Sequence, residues 1–167
     1  NARLLGLPNY NGPVQAGLLV RSIVADYPYG STQERECLVL QVRQDFVFEF
    51  SAALFCQVMN NLVKNAFKAL AAADTPVQRG DLLIEVGTWQ NRGRITVTDR
   101  GIGIAAQLQP RIFDAFFSTD RGTGHGLGLA FCRRAVQDAH GTITVHSEMG
   151  KGASFTLDLP ILQPARG

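Results

Sequence analysis

A chain of 167 residues is sized for one domain with its own core, and 46% apolar with 18% charged residues is ordinary globular composition. A net charge of +2 makes no case for nucleic acid or an acidic membrane as the main partner. No apolar run approaches the ~18 residues needed to cross a bilayer, and the first residues do not read as a signal peptide.

Residues 1–12 hold Gly6, Pro8 and Gly12 and read as a linker, or as the end of a preceding dimerisation helix. From Pro13 to Tyr27 the spacing of Val14, Leu18, Leu19, Ile23 and Val24 predicts a helix. CLVLQVR (37–43) and FVFEF (46–50) read as strands joined by a tight hairpin at Gln44-Asp45. Ser51 suits a helix N-cap, and Leu54, Phe55, Val58, Met59, Leu62, Ala66 and Leu70 lay an apolar stripe along a helix over 52–73. Segments 82–90 and 94–99 alternate as antiparallel strands around an Asn91-Arg92-Gly93 turn. A Gly, Ser, Thr and Asp-rich loop fills 100–125, and a loop of that length inside a domain points to function. A helix over 127–139 and a closing hairpin, 142–148 with 153–160, complete the pattern. The fold class this predicts is an α/β two-layer sandwich: a mixed, mostly antiparallel sheet covered on one face by about three helices. The domain itself is expected over 13–162, with 163–167 as a tail. Cys37, Cys56 and Cys132 have no ligand spacing and read as reduced, buried thiols of a cytosolic protein.

Three constellations carry chemistry. The first is Asn60, Asn61 and Asn65 in the long helix. Asparagine is roughly half a kcal/mol worse than alanine in a helix interior, so three within six residues ask for a reason. Asn61 and Asn65 are i and i+4 on one face, with Lys64 and Lys68 alongside. Amide oxygens beside an ammonium suit a hydrated Mg²⁺ and a phosphate chain; a solvated polar face is the alternative. The second is Asp99-Arg100-Gly101-Ile102-Gly103-Ile104 after a strand. A carboxylate there can accept from an exocyclic amine, and alternate glycines admit a flat ring; a capped glycine turn is the alternative. The third is Gly122 to Leu129, four glycines in seven residues leading into a helix. Such a loop turns N–H groups and the positive dipole end toward an anion; a flexible surface loop is the alternative. No GxxxxGK[ST] or good GxGxxG pattern occurs.

In this order the segments NNLVKNAFK, DRGIGI, FDAFFST and GHGLGLAF, followed by HGTITVHSEMGKGASFTLDLP, resemble the ATP-binding domain of sensor histidine kinases, in the superfamily that also holds gyrase, Hsp90 and MutL. The likeness runs over roughly 13–160. It implies a Bergerat-type ATP-binding fold and the cofactors ATP and Mg²⁺. It implies that Asn65 gives an oxygen to Mg²⁺, that Asn61 lies beside it and that Lys68 reaches the phosphates. Asp99 would take the adenine amine, with Gly101, Gly103 and Ile104 close to the ring. Residues 105–125 would form the lid. Gly124, Gly126 and Gly128, with Leu127 and Leu129, would cradle the phosphates, and Arg121, Thr123 and His125 are lesser contacts.

The resemblance further implies transfer of the γ-phosphoryl group to a histidine upstream of Asn1 on a dimerisation domain, and then to a response regulator. None of His125, His140 and His146 sits in an acceptor-like sequence. The parent would be a homodimer with this domain in the cytoplasm, whether or not it is anchored in the inner membrane. ATP-hydrolysing relatives carry a water-activating glutamate four residues before the magnesium asparagine. Asn61 stands there, neutral and unable to act as a base, which argues for transfer over hydrolysis. Ala69 and Ala153 depart from the bulkier residue and the threonine common in the family. A serine kinase of the same superfamily and a non-catalytic nucleotide-sensing scaffold are the alternatives.

Overall fold

The computed structural model describes residues 11–115, 117 and 128–163. A five-stranded sheet runs in the order β2-β4-β5-β7-β6, built from Leu38–Val42 (β2), Leu82–Trp89 (β4), Arg92–Asp99 (β5), Thr142–Glu148 (β6) and Gly152–Pro160 (β7). β2 lies parallel to β4, and the other pairs are antiparallel. Helices α1 (Ala16–Asp26), α3 (Ala52–Ala72) and α4 (Gly128–Asp138) cover one face, joined by the short α2 (Thr32–Cys37). Strands β1 (Asn11–Gln15) and β3 (Val47–Ser51) form a separate two-stranded ribbon. The mixed, mostly antiparallel two-layer architecture is the one the periodicity predicts.

Period-2 alternation decides which side chains meet the helices. Ile84, Val97 and Phe155 are buried in one row, and Val86, Ile95 and Leu157 in the next. The opposite face carries Thr96, Thr98, Ser154 and Thr156, with Thr98 and Ser154 hydroxyls 2.8 Å apart. Helix α3 packs on the inner rows through Phe55, Val58, Met59, Leu62, Ala66 and Leu70, all buried. Its start is fixed by Ser51, whose hydroxyl accepts from the Leu54 N–H at 3.3 Å, as expected of an N-cap.

Four local expectations are corrected. The chain is extended over 11–15, so α1 starts at Ala16 and not at Pro13. The strand edge of β3 takes these residues, a long-range pairing that overrides the local helical spacing. Strands β2 and β3 form no hairpin. Asp45 instead turns the chain away, accepting from the N–H groups of Gly17 (2.7 Å) and Phe46 (2.8 Å) and from the Gln15 amide (2.9 Å). Phe46, Phe48, Phe50 and Phe55 then stack edge to face or tilted on one another. Cys37 ends α2 rather than opening β2. That helix is announced by Ser31 and Glu34: Ser31 Oγ accepts from the Glu34 N–H, and Glu34 accepts from the Gly30 N–H. Finally, the β4–β5 turn is Gln90-Asn91, both at positive φ (51° and 63°), which leaves Arg92 and Gly93 in the strand. All three cysteines are buried free thiols, as their spacing implies.

Candidate functional site

The end of β5 carries an acid where the sheet is otherwise apolar. Asp99 is 4% exposed and is the buried charged residue among those described. Strand register sets it in the middle of a row running Leu38, Leu82, Asp99, Ala153, Ser147 on the helix-covered side. Burial pushes its carboxyl up to about 6, against the pull of the Gly101 and Ala153 N–H groups. The Gly101 N–H donates to Oδ1 at 2.8 Å. A carboxylate held in this way has lone pairs left for a donor from a ligand.

The loop after Asp99 is braced on both sides. The Ile102 N–H donates to the Ala69 carbonyl of α3 at 3.2 Å, and the Ile102 carbonyl accepts from Gly150 in the β6–β7 turn at 2.8 Å. A side chain at Gly101 would put its Cβ 2.5 Å from the Ala69 backbone. Gly103 lies at φ +78°, with the Glu148 carbonyl occupying the space of any Cβ. Two residues that sequence reasoning missed complete the brace. Ser147 Oγ accepts from the Ile104 N–H at 2.7 Å and donates to the Gly152 carbonyl at 2.7 Å. The Gln109 amide donates to the Ile104 and Ser147 carbonyls, at 2.9 and 3.0 Å. The only advance sign of Ser147 was a polar residue on the inward phase of β6.

Helix α3 supplies the second wall. Asn60 is exposed, whereas Asn61, Asn65, Lys64 and Lys68 are half-buried. Ala69, one residue past Lys68, is the one against Gly101 and Ile102, so the asparagine helix and the Asp99 loop touch directly. A bulkier side chain at 69 would have to grow out beside that contact. At the other end, the Asn61 amide nitrogen lies 3.8 Å from Cys132 Sγ of α4, and Gly128 of α4 faces the same carboxamide. Gly128 and Leu129 thus open α4 beside Asn61. Three of the four expected segments meet along α3.

Arg121, Thr123, Gly124, His125, Gly126 and Leu127 lie outside the described residues. In the FDAFFST segment, Phe113 is a core residue, edge-on to Phe155 of β7 with ring centroids 6.2 Å apart. His140 is at positive φ (64°), closing α4, and His146 projects from β6 at an exposed position. Among the described residues no cluster of three or more His, Cys, Asp or Glu could hold a metal unaided, and no helix is long and apolar enough to cross a membrane.

Residues 51–163 match the family described as Histidine kinase-, DNA gyrase B-, and HSP90-like ATPase. The signal transduction histidine-protein kinase AtoS of Escherichia coli (strain K12) is 39% identical over 134 residues, covering 73% of this chain and 21% of AtoS. The CAI-1 autoinducer sensor kinase/phosphatase CqsS of Vibrio cholerae serotype O1 is 30% identical over 142 residues, 85% of this chain and 20% of CqsS. The chain therefore spans about a fifth of the length of these curated relatives. In structure, the nucleotide-free catalytic domain of histidine kinase ThkA superposes with a TM-score of 0.75, at 24% identity over 91% of this chain and 96% of that one. Full-length ShkA in complex with AMPPNP gives 0.77, at 27% identity over 99% of this chain and 34% of that one. An inward acid at a strand end, a glycine loop pressed on an asparagine helix, and this match over more than half its length make the chain a member of the histidine kinase, gyrase B and HSP90-like ATPase family, of the sensor histidine kinase catalytic type.

Proposed function

We propose that this domain binds ATP with Mg²⁺ and donates the γ-phosphoryl group to a histidine on a separate dimerisation domain, for relay to a response regulator. The observation that carries the reading is Asn61. Its amide nitrogen is directed at the Cys132 sulfur, and a carboxamide has no basic lone pair for activating water near neutral pH. The domain so built orients and neutralises a triphosphate and leaves the nucleophile to its partner.

In this reading Asp99 accepts from the adenine amine while Gly101, Gly103 and Ile104 lie along the ring. Asn65 offers its oxygen to Mg²⁺, an ion that takes one or two protein oxygens and completes its octahedron with water and phosphate. Half-buried carboxamides on α3 fit that demand. When bound, Mg²⁺ neutralises charge on the phosphates. Lys68 adds a cation, and the glycines from 124 to 128, with Leu127 and Leu129, Arg121, Thr123 and His125, close on the phosphates. That AMPPNP occupies full-length ShkA supports a nucleotide site in the shared fold. The parent is proposed as a homodimer with this domain, bounded near 13–162, on the cytoplasmic side.

The test is transfer in trans. The domain is mixed with γ-labelled ATP, Mg²⁺ and a dimeric helical domain bearing the acceptor histidine. Acid-labile, base-stable label on that partner, with slow hydrolysis by the domain alone, is the expected result. Rapid hydrolysis without a partner, or acid-stable label, would overturn it.

A further inference from the structure

Cys132 on α4 is completely buried, with its sulfur against α3. It stands 3.7 Å from the Val58 carbonyl and 3.8 Å from the Asn61 side-chain nitrogen. Val58 and Asn61 are three residues apart, so both belong to one stripe of α3. Carboxamide oxygen and nitrogen are hard to tell apart by shape alone, but here the proton count decides. A thiol has one proton, and burial, pushing the group up to about 12, keeps it there. The Val58 carbonyl can only accept, and the thiol donates to it. The sulfur is left as an acceptor, and only the NH₂ end of Asn61 can meet it.

We infer that Cys132 is a positioning residue: it holds the NH₂ of Asn61 toward α4 and thereby turns the carboxamide oxygen to the opposite, nucleotide side. Gly128, one turn before Cys132, lies beside the same group: a Cβ there would come to 4.0 Å of the Asn61 side-chain carbon, an ordinary contact. Asn61 thus presents an acceptor toward the metal ion and its bound water rather than a donor. The inference rests on the proposed nucleotide site, and it assigns to a core thiol the orientation of one of that site's side chains.

The test compares the 167-residue wild-type chain with Cys132→Val and Cys132→Ser. Calorimetric titration with AMPPNP is run in Mg²⁺ and in EDTA, and thermal melts confirm folding. Valine fills the space without accepting, so the gain in affinity due to Mg²⁺ should fall about three- to tenfold while binding in EDTA stays the same. Serine keeps the order of donor and acceptor and should restore most of the gain. In the ligand-free chain, the Asn61 side-chain NH₂ protons should exchange with water faster in Cys132→Val than in wild type. If valine leaves both the Mg²⁺-dependent gain and this exchange unchanged while Asn65→Ala still abolishes the gain, the positioning role is wrong and the proposed function stands. If wild type shows no Mg²⁺-dependent gain at all, the proposed function fails and this inference with it.

Discussion

The two walls of the site are held by different means. Around Asp99 the ties are backbone or nearly so: Gly101 to the carboxylate, Ile102 to Ala69 and Gly150, Ile104 to Ser147. They lie between 2.7 and 3.2 Å and brace the loop from two elements before any ligand arrives. Along α3 the described tie on Asn61 is a single soft contact to sulfur. A backbone-braced acid suits recognition of one flat base, where register matters. Side chains on a helix suit a metal and phosphates, whose oxygens are many and exchangeable. Cutting the bonds that brace the loop of the first wall should therefore lose stability and affinity together, and cutting the second wall should lose function alone.

The largest effect tests the second wall. Asn65→Ala should lower Mg²⁺-dependent nucleotide affinity and phosphoryl transfer by about 100-fold, while the melting temperature changes little, because the side chain is half-buried on a helix and alanine is the better helix former. Calorimetry and melts on the same preparation read both. A melt that collapses would place Asn65 in the framework and erase the contrast.

Asp99 is where the walls differ most sharply in sign. Replacing it by asparagine should cost ~1–3 kcal/mol of adenine binding. The ligand-free fold should move the other way. The folded carboxyl titrates at about 6 against an ordinary 3.8, so ionising it opposes folding. The penalty is absent below the unfolded value, grows between about 4 and 6, and is complete above. A shift of about two units corresponds to at most ~3 kcal/mol. Asp99→Asn should therefore raise stability at pH 8 and do little near pH 4, as read by urea unfolding at the two values. In wild type, ATP affinity should drop as pH falls through about 6, because the protonated carboxyl loses its charge-assisted bond. Asparagine destabilising the fold at pH 8 would mean the acid is there for structure.

How much of this was legible beforehand follows from range. The inner rows of β4, β5 and β7 and the stripe of α3 are periodic in the sequence, so both the sheet and its covering helix could be read. Asp99, Gly101 and Gly103 stood out through the ordered set of motifs rather than alone, since glycines at alternate positions after a strand also suit a capped turn, and the Gly101 N–H does donate to Asp99. Pairing is not local: nothing near Asn11 says that β3 will take it as a partner, and Gln44-Asp45 looks like a hairpin until Asp45 is seen capping α1. Gly93 read as a turn residue because glycine usually is. Its place in β5 is explained by Phe46, whose ring fills the space a Cβ would need. Ser147, Gln109 and Cys132 each make a hydrogen bond to a residue 38 to 74 positions away, and no motif marks such a partner.

Gly101→Ala cuts the brace sterically. Its Cβ would come within 2.5 Å of the Ala69 backbone, which cannot swing aside as a flexible side chain would. Overpacking of this kind costs ~1–3 kcal/mol, and urea unfolding should show it together with weaker nucleotide binding. Loss of binding at full stability would locate the glycine's role at the ring alone.

Ser147→Ala should give the smallest effect and the finest test. It removes one hydroxyl that both accepts from Ile104 and donates to Gly152, leaving the Ile104 N–H and the Gly152 carbonyl to find other partners. Net hydrogen bonds are worth ~0.5–1.5 kcal/mol each, and part-buried groups regain some of this from water. A stability loss of ~1 kcal/mol and a two- to fivefold weaker ATP affinity are expected, equal with and without Mg²⁺. That equality separates the walls. Ser147 steadies the loop that carries the base contact, so its loss should be felt by any adenine nucleotide. If the loss appeared only with Mg²⁺ present, bracing at the β6–β7 end would reach the phosphates, and the two walls would be one unit.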